Sequence, residues 1–223
     1  MIKLRDGEIT IIGRITDASN ATLLGEIGGS RVVYKPIAGE RPLWDFSDGN
    51  LAQREYASFL VSEKLGFDIV PRTILREGPY GVGMVQEWCE PNPEVDVVEF
   101  SQSDSPLIRR MALFDILINN GDRKFGHILP IDVTQVRGCD HGVTFNVENR
   151  LRTVLWQWAG EKFTEIEIDL IQQFIKEIRS SDFAELLTEH EILAAIDRAE
   201  EFLRSEVFPH PSDEWPAIPW PPF

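Results

Sequence analysis

The spacing of apolar residues changes along the chain, and this change limits the folds that the chain can adopt. The first third contains three short segments rich in β-branched residues, EITIIGRI (8–15), ATLLGEIGG (21–29) and RVVYKPI (31–37). Gly-Gly-Ser at 28–30 is typical of a tight hairpin turn between the second and third segments. The first third is therefore predicted to form antiparallel strands.

A helix interrupts this pattern before the strands resume. From Asn50 to Leu65 the apolar residues follow helical spacing, and Gly66 is a candidate C-cap. Two further strand candidates lie near Ile69–Arg76 and Gly83–Trp88. We therefore predict a first lobe made of a sheet and one helix.

The rest of the chain has the spacing of helices. The proline-rich and acidic CEPNPEVDV suits a connection, so we place the lobe boundary near residue 90, with lobes at 1–90 and 91–223. SPLIRRMALFDILINN (105–120) predicts a helix with Ser105 as cap and Pro106 in the first turn. Residues 161–178 and 188–206 are predicted to be amphipathic helices, while the proline-rich tail from His210 either packs through its tryptophans or frays. The predicted fold class is α+β, two-lobed, with a mainly helical second lobe.

Charge and hydropathy exclude several classes of partner. The 223 residues carry a formal net charge of −15, from 37 acidic and 22 basic side chains, which disfavours binding to nucleic acid or to an anionic membrane surface. No apolar stretch reaches the ~20 residues of a membrane helix, and the N-terminus lacks the apolar run of a signal peptide. Cys89 and Cys139 form no metal-binding or disulfide pattern. We expect a soluble cytoplasmic protein.

Two acidic loops flank a predicted hairpin in the middle of the chain. Asp122, in GDRKFGHIL, follows the long helix, and Asp140, in GCDHGVTF, follows the short strand candidate IDVTQVRG (131–138). Phosphoryl transfer needs one carboxylate to orient and deprotonate an acceptor hydroxyl and another to hold magnesium on the nucleotide phosphates. The alternative is that these acids only cap or solvate their loops.

A lysine and a glutamate upstream strengthen the phosphotransfer interpretation. Lys35 ends the strand RVVYK, and Glu55 lies between Leu51 and Phe59 in a stripe with a spacing of four. A charge in an apolar stripe needs a partner, and kinases pair a strand Lys with a helix Glu to hold the ATP phosphates. The alternative is a solvated Lys and a Glu at the edge of the buried face.

With these residues the sequence resembles the phosphatidylinositol 3- and 4-kinase branch of the protein-kinase-like superfamily. It is closer still to a bacterial, largely actinobacterial, kinase-like family of about this length. DRKFGH-IL and DHG stand where lipid kinases have DRHxxN, an apolar pair and DFG, and the resemblance extends through GRITDASNATLLGEI, VVYKP, WDFSDGNLAQREYA and GVGMVQEW.

The resemblance implies ATP and Mg²⁺ as cofactors and assigns a role to several residues. Asp122 would be the catalytic acid or base and Asp140 a metal ligand. Lys35 would contact the phosphates, with Glu55 as its anchor. The hinge that meets adenine through backbone groups would be Gln86, Glu87 and Trp88.

Two histidines depart from the family pattern. His127 replaces the Asn that serves as second metal ligand, and magnesium prefers oxygen whereas imidazole suits manganese, zinc and similar ions. Mn²⁺ is therefore an alternative cofactor. His127 could ligate the metal directly, bind it through a water, orient Asp122, or be satisfied within its loop. His141 replaces the Phe of DFG.

The phosphate-covering loop also departs from the glycine-rich pattern. Ser19, Asn20 and Thr22, in DASNAT, could bond phosphate oxygens with the help of backbone N–H groups. The alternative is an ordinary polar hairpin turn.

Basic and aromatic residues near the two acidic loops are further candidates for the site. Arg123 and Lys124 serve phosphate contacts, loop geometry or surface solvation. Arg150 and Arg152 could meet an anionic acceptor. Trp156 and Trp158 either wall in a ring or pack on the C-terminal helices.

The sequence thus predicts transfer of the γ-phosphate of ATP to a hydroxyl of a small soluble acceptor of the polyol, inositol or sugar type. Protein phosphorylation, AMP transfer on the same fold, and ATP binding without catalysis remain open. A lipid kinase is disfavoured because no basic or amphipathic membrane-docking segment is present.

Overall fold

A five-stranded antiparallel sheet opens the fold, as the sequence predicts. The computed structural model describes residues 4–15, 20–41 and 50–223, so residues 44–49 of the motif WDFSDGNLAQREYA lie outside the described ranges. The strands follow the order β1-β2-β3-β5-β4 in the sheet. Their bounds are Thr10–Arg14 (β1), Leu23–Ile27 (β2), Ser30–Pro36 (β3), Thr73–Gly78 (β4) and Gly81–Glu87 (β5).

The turn between β2 and β3 depends on two glycines. Ile27 pairs with Ser30, so Gly28 and Gly29 form a two-residue turn. Both have positive φ, +56° and +84°, and side chains rarely adopt this backbone conformation. The hairpin prediction at this position is confirmed.

The predicted helices are present, and a side chain caps the start of α1 and of α3. The Asn50 side chain accepts from the Gln53 N–H at the start of α1. Ser105 caps α3, with Pro106 in its first turn. The helices are α1 (Leu51–Lys64), α2 (Val97–Ser101), α3 (Pro106–Ile118), α4 (Glu165–Glu177), α5 (Ser181–Ala184) and α6 (Glu189–Ser205). None of the helices in the described ranges combines the length and the apolarity needed to span a membrane.

The hairpin predicted between the two acidic loops is present, but the strand candidate within it is wrong. IDVTQVRG is not one strand, because β6 (Ile128–Asp132) and β7 (Gln135–Gly138) form a hairpin whose turn lies within this segment. The Asp132 carboxylate accepts hydrogen bonds from the N–H and the hydroxyl of Thr134, which closes the turn. The β-branched Val133 and Thr134 are typical of a strand, but Val133 is exposed at the tip.

The hydrophobic cores do not follow the order of the chain. A small cluster covers the sheet and includes Val32, Tyr34 and Val85. A larger cluster holds the helical region, and Ala57, Leu60, Val61 and Leu65 of the α1 segment belong to it. The predicted boundary near residue 90 falls just after β5, yet α1 shares its core with the second lobe.

Polar contacts also attach α1 to the second lobe. Arg54 and Glu191 form a buried ion pair between α1 and α6. At the other end of α1, Lys64 pairs with Asp182 at 2.9 Å and its carbonyl accepts from Gln173. These contacts hold α1 in place between the sheet and the helices of the second lobe.

We expect Arg54→Met to lower the free energy of unfolding by about 3–5 kcal/mol, because it leaves the Glu191 charge buried without its cation. Urea unfolding measures this loss. The double variant Arg54→Met/Glu191→Gln should recover most of it, since Gln can still cap α6. Equal losses in the single and double variants would show that the ion pair is not the cause.

Candidate active site

A cleft lies between the sheet and the helical region. Six parts of the described chain form it: the loop before β2, the end of β3, Glu40 beyond β3, the first half of α1, and the two acidic loops. Its lining residues are Asn20, Ala21, Lys35, Pro36, Glu40, Leu51, Ala52, Glu55, Asp122, Asp140, Gly142 and Val143.

Lys35 connects two carboxylates at the centre of this cleft. Its Nζ lies 2.5 Å from Glu55 Oε1 and 2.8 Å from Asp140 Oδ1. Burial opposes the charge of Lys35, but Asp140 and Glu55 outweigh it and raise its pKa. Burial also raises the pKa of Glu55, against the effect of Lys35 and of the His141 N–H, which donates to Glu55 Oε2 at 3.0 Å. The predicted Lys35–Glu55 pair is formed.

Asp140 presents its carboxylate to the cleft from an unusual backbone conformation. Its φ is +59°, a left-handed conformation that Asp tolerates better than most residues. The nearby Lys35 ammonium lowers the pKa of Asp140 well below its usual range. The carboxylate is nearly half exposed, so it stays ionised and accessible.

Asp122 also lines the cleft, four residues after the end of α3. The helix ends at Asn119, which has left-handed φ and ψ, and the Asn120 side chain accepts from the Asp122 N–H at 3.0 Å. Burial raises the pKa of Asp122, although Lys124, 3.3 Å away, and His127 oppose this. A raised pKa makes this carboxylate a better proton acceptor.

His127 lies beside both acids. Its Nδ1 is 2.8 Å from the backbone carbonyl of Asp122, and its Nε2 is 3.6 Å from Asp140 Oδ2. Burial lowers the pKa of His127. The structure therefore brings Lys35, Glu55, Asp122, His127 and Asp140 together, as predicted.

Arg123 requires a correction, because its side chain is fully buried and is absent from the cleft lining. The guanidinium pairs with Asp115 at 2.8 Å, donates to the His127 carbonyl at 3.2 Å and lies 2.8 Å from His141 Nε2. Of the three predicted roles, loop geometry is the one that this placement supports. An arginine donates only, so His141 Nε2 accepts, which a Phe could not do.

Asp115 was missed, although the sequence contains a signal for it. This carboxylate lies in the apolar run MALFDILI and is completely buried, and a buried charge in such a run requires a cation.

Glu40 was also missed. It lines the cleft and accepts from the N–H groups of Leu51 and Ala52, both at 2.8 Å. The Glu40–Leu51 separation of eleven residues matches no local capping pattern.

The predicted phosphate-covering residues are placed differently from one another. Asn20 lines the cleft, and its Oδ1 accepts from the Arg41 N–H at 2.9 Å. Thr22 is buried and does not line the cleft, which corrects its predicted role. Ser19 lies outside the described residues.

The predicted hinge also differs in part from expectation. The Gln86 side chain is buried and donates to Thr73 Oγ1 at 2.8 Å. The N–H groups of Glu87 and Trp88 donate to the carbonyls of Arg72 and Arg31. β5 lies between β3 and β4, and the backbone at its end and just after it forms the same kind of hydrogen bond to neighbouring segments. The N–H groups of Glu87 and Trp88 are therefore already used. Adenine recognition by this stretch would have to use its carbonyl groups.

The basic and aromatic residues after Asp140 contact the protein itself. Arg152 Nε donates to the Gly121 carbonyl at 2.8 Å, so it supports the loop before Asp122. Arg150 pairs with Glu148 and lies over the Trp215 ring. Trp158 is buried, in agreement with packing on the C-terminal helices.

The C-terminal tail packs against the loop of Asp122. The Ala217 carbonyl accepts from the Thr153 N–H and from Trp156 Nε1, and the Pro222 carbonyl accepts from the Phe125 N–H. Of the two predicted alternatives, packing is the one observed. The contacts involve backbone carbonyls more than the tail tryptophans.

The fold has counterparts among solved structures. A crystal structure of the Helicobacter pylori proinflammatory kinase CtkA has a TM-score of 0.53 and 12% identity, covering 90% of this chain and 93% of that one. A crystal structure of the Golgi casein kinase has a TM-score of 0.50 and 14% identity, covering 90% and 71%. At such identities the likeness shows the fold alone, and it confirms the predicted two-lobed, kinase-like α+β class. It does not show the lipid-kinase branch in particular.

A curated sequence relative defines the family. No family model matches the chain. Protein Rv2133c of Mycobacterium tuberculosis (strain ATCC 25618 / H37Rv) is 41% identical over an alignment of 263 positions, which covers 99% of this chain and 94% of the relative. The chain therefore belongs to the family of Protein Rv2133c, and it has a protein-kinase-like fold.

Proposed function

We propose that this protein is an ATP-dependent phosphotransferase that moves the γ-phosphate of ATP to a hydroxyl of a small soluble acceptor of the polyol, inositol or sugar type. One observation carries this proposal: a single cleft of a kinase-like fold contains the Lys35–Glu55 pair, Asp140 and Asp122. The names of the two solved neighbours, both kinases, support it.

Lys35 and Glu55 form the proposed phosphate-binding pair. Glu55 is a residue of α1 and is almost completely buried. It therefore holds Lys35 Nζ in a fixed position in the cleft. An ammonium in this position binds phosphate oxygens as a point charge. Lys35 now bonds Asp140 as well, and phosphate oxygens would compete with that carboxylate for it.

The donor set next to Lys35 fits a divalent metal ion. Asp140 Oδ2 and His127 Nε2 are 3.6 Å apart and both side chains reach solvent, and nucleotide phosphates would supply the other ligands. Such an ion would neutralise the charge that develops on the transferred phosphate. Asp140 and His127 are the residues that would hold it.

Asp122 is the proposed base for the acceptor hydroxyl. Its carboxylate lines the cleft, and burial raises its pKa, which strengthens proton acceptance. Lys124, at 3.3 Å, would hold the carboxylate in place.

The charge of the cleft affects which acceptor it can bind. Among the described residues, Glu40, Glu55, Asp122 and Asp140 line it together with one cation, Lys35. Once nucleotide and metal occupy Lys35 and Asp140, the remaining acidic wall repels a second anion. A neutral polyol therefore fits better than a phosphorylated or acidic acceptor.

A protein acceptor is the second candidate, since one structural neighbour is named a casein kinase. Formation of ADP from ATP, with Mg²⁺ or Mn²⁺, tests both candidates when polyols, inositols, sugars and casein are compared. We expect ADP formation that increases with a small polyol and is lost in Asp122→Ala. If the protein forms no ADP with any acceptor and the variant behaves identically, the proposed function is wrong.

A further inference from the structure

We infer that His127 is a direct metal ligand through Nε2 and makes the site selective for Mn²⁺ over Mg²⁺. The inference rests on the proposed function, because it requires a bound nucleotide. Of the four roles predicted for His127, it selects direct metal binding. The evidence is the orientation of the imidazole, the distance between His127 and Asp140, and the contacts that hold the ring.

The hydrogen bond at Nδ1 fixes the orientation of the ring. Nδ1 lies 2.8 Å from the Asp122 carbonyl oxygen, which can only accept, so Nδ1 carries a proton. The other ring nitrogen, Nε2, is therefore the atom that can bind a cation, and it faces the cleft acid Asp140. An N–H to carbonyl bond of this kind is the usual support of a metal-binding histidine.

The distance between His127 Nε2 and Asp140 Oδ2 is close to that between two ligands of one ion. With metal–ligand bonds of about 2.0–2.2 Å, neighbouring ligand atoms lie about 3.0–3.5 Å apart. The observed 3.6 Å exceeds an ordinary hydrogen bond and needs only a small shift of the half-exposed Asp140 side chain to close. Lys35 holds the other oxygen, Oδ1, at 2.8 Å, so Oδ2 remains directed to His127.

The loop of His127 is anchored on both sides of the imidazole. Its carbonyl accepts from the Cys139 N–H at 3.1 Å and from Arg123 Nη1 at 3.2 Å, which ties the residue to the segment of Asp140 and to the buried Arg123. The ring can therefore bind the ion without rearrangement of the loop. A pre-organised metal ligand has this property, whereas a mobile surface histidine does not.

Imidazole in this position changes the preferred ion. Mg²⁺ favours all-oxygen surroundings and gives up water reluctantly. Mn²⁺ binds the same carboxylate oxygens and, as a transition-metal ion, binds an imidazole nitrogen more strongly than Mg²⁺ does. A site with one carboxylate, one imidazole and nucleotide phosphates thus favours Mn²⁺.

Pulsed electron paramagnetic resonance tests this directly, with Mn²⁺ and the non-hydrolysable nucleotide AMP-PNP as probes. We expect ¹⁴N modulation from a coordinated imidazole in the wild type, and its loss in His127→Asn. The matched control His190→Asn, at an exposed position of α6, should retain it. Titration should show that Mn²⁺ affinity with AMP-PNP falls at least about tenfold in His127→Asn, while Mg²⁺ affinity does not fall.

Two failures can be told apart. If Mn²⁺ and AMP-PNP bind together to the wild type without ¹⁴N modulation, the inference about His127 is wrong and the proposed function stands. If AMP-PNP does not bind to the wild type with either metal, the proposed function fails and the inference fails with it. The absence of ¹⁴N modulation from the wild-type spectrum overturns the inference even if His127→Asn does not fold.

Discussion

Asp122→Asn is expected to lower ATP turnover by about 10²–10⁴-fold, the contribution typical of a general base. Asn keeps the size of the side chain and can still accept a bond from Lys124, but it cannot take the proton of an acceptor hydroxyl. The backbone N–H of residue 122 would still donate to Asn120, so the loop should keep its conformation. We therefore expect AMP-PNP affinity to change little.

Turnover of Asp122→Asn is measured as ADP formation with the best acceptor, and affinity by calorimetry. Asp104→Asn, the same change at an exposed loop position before α3, is the control and should retain full turnover. Turnover of Asp122→Asn at the wild-type rate would show that Asp122 is not the base. Loss of AMP-PNP affinity equal to the loss of turnover would instead assign Asp122 to nucleotide binding.

Lys35→Met is expected to lower the free energy of unfolding by about 3–5 kcal/mol at pH 8, because it leaves a buried carboxylate without its cation. Glu55 is 1% exposed and would retain the His141 N–H as its remaining donor among the contacts described above. Asp140 also loses a partner, but water reaches its carboxylate.

The loss should be smaller at low pH. Burial already raises the pKa of Glu55 in the wild type, and removal of Lys35 raises it further above the unfolded value of about 4.3. The folded variant then binds more protons than the unfolded chain, so its stability is retained below the unfolded pKa and declines as pH rises through the folded pKa.

Urea unfolding at pH 5 and pH 8 measures both effects. Lys64→Met is the matched control, because Lys64 pairs with the half-exposed Asp182 at the protein surface. Its expected loss is at most about 1 kcal/mol, with no comparable pH dependence. Equal losses for the two variants at pH 8 would contradict a structural role for the Lys35–Glu55 pair.

Much of the fold could be predicted because its signals are local. The helix α3 has a Ser cap, a Pro in its first turn and an Asn at its end, and all three act within a few residues of the helix termini. The turn at Gly28 and Gly29 is equally local. The Lys35–Glu55 pair could be predicted for another reason, since a charge in an apolar stripe requires a partner and one lysine ends the preceding strand.

The errors concern contacts between distant parts of the chain. The N–H groups of Glu87 and Trp88 are used because β5 lies between two strands, and sheet order is not encoded in any single segment. Arg123 is buried because Asp115 and His141 converge on it from α3 and from the loop after β7. The Asp132 turn within IDVTQVRG is a different case. Its signal, the Asp132 side chain, is local, but the β-branched Val133 and Thr134 next to it favour a strand.

Phosphorus-31 NMR of ATP with the wild-type protein, a polyol and Mn²⁺ tests the proposed phosphotransfer most directly. We expect the γ-phosphate signal to disappear while ADP and a phosphate ester appear, and no change with Asp140→Asn. Formation of pyrophosphate and AMP would assign the site to nucleotide transfer. An unchanged spectrum, despite tight nucleotide binding, would show that the cleft holds ATP without catalysis and would contradict the proposal.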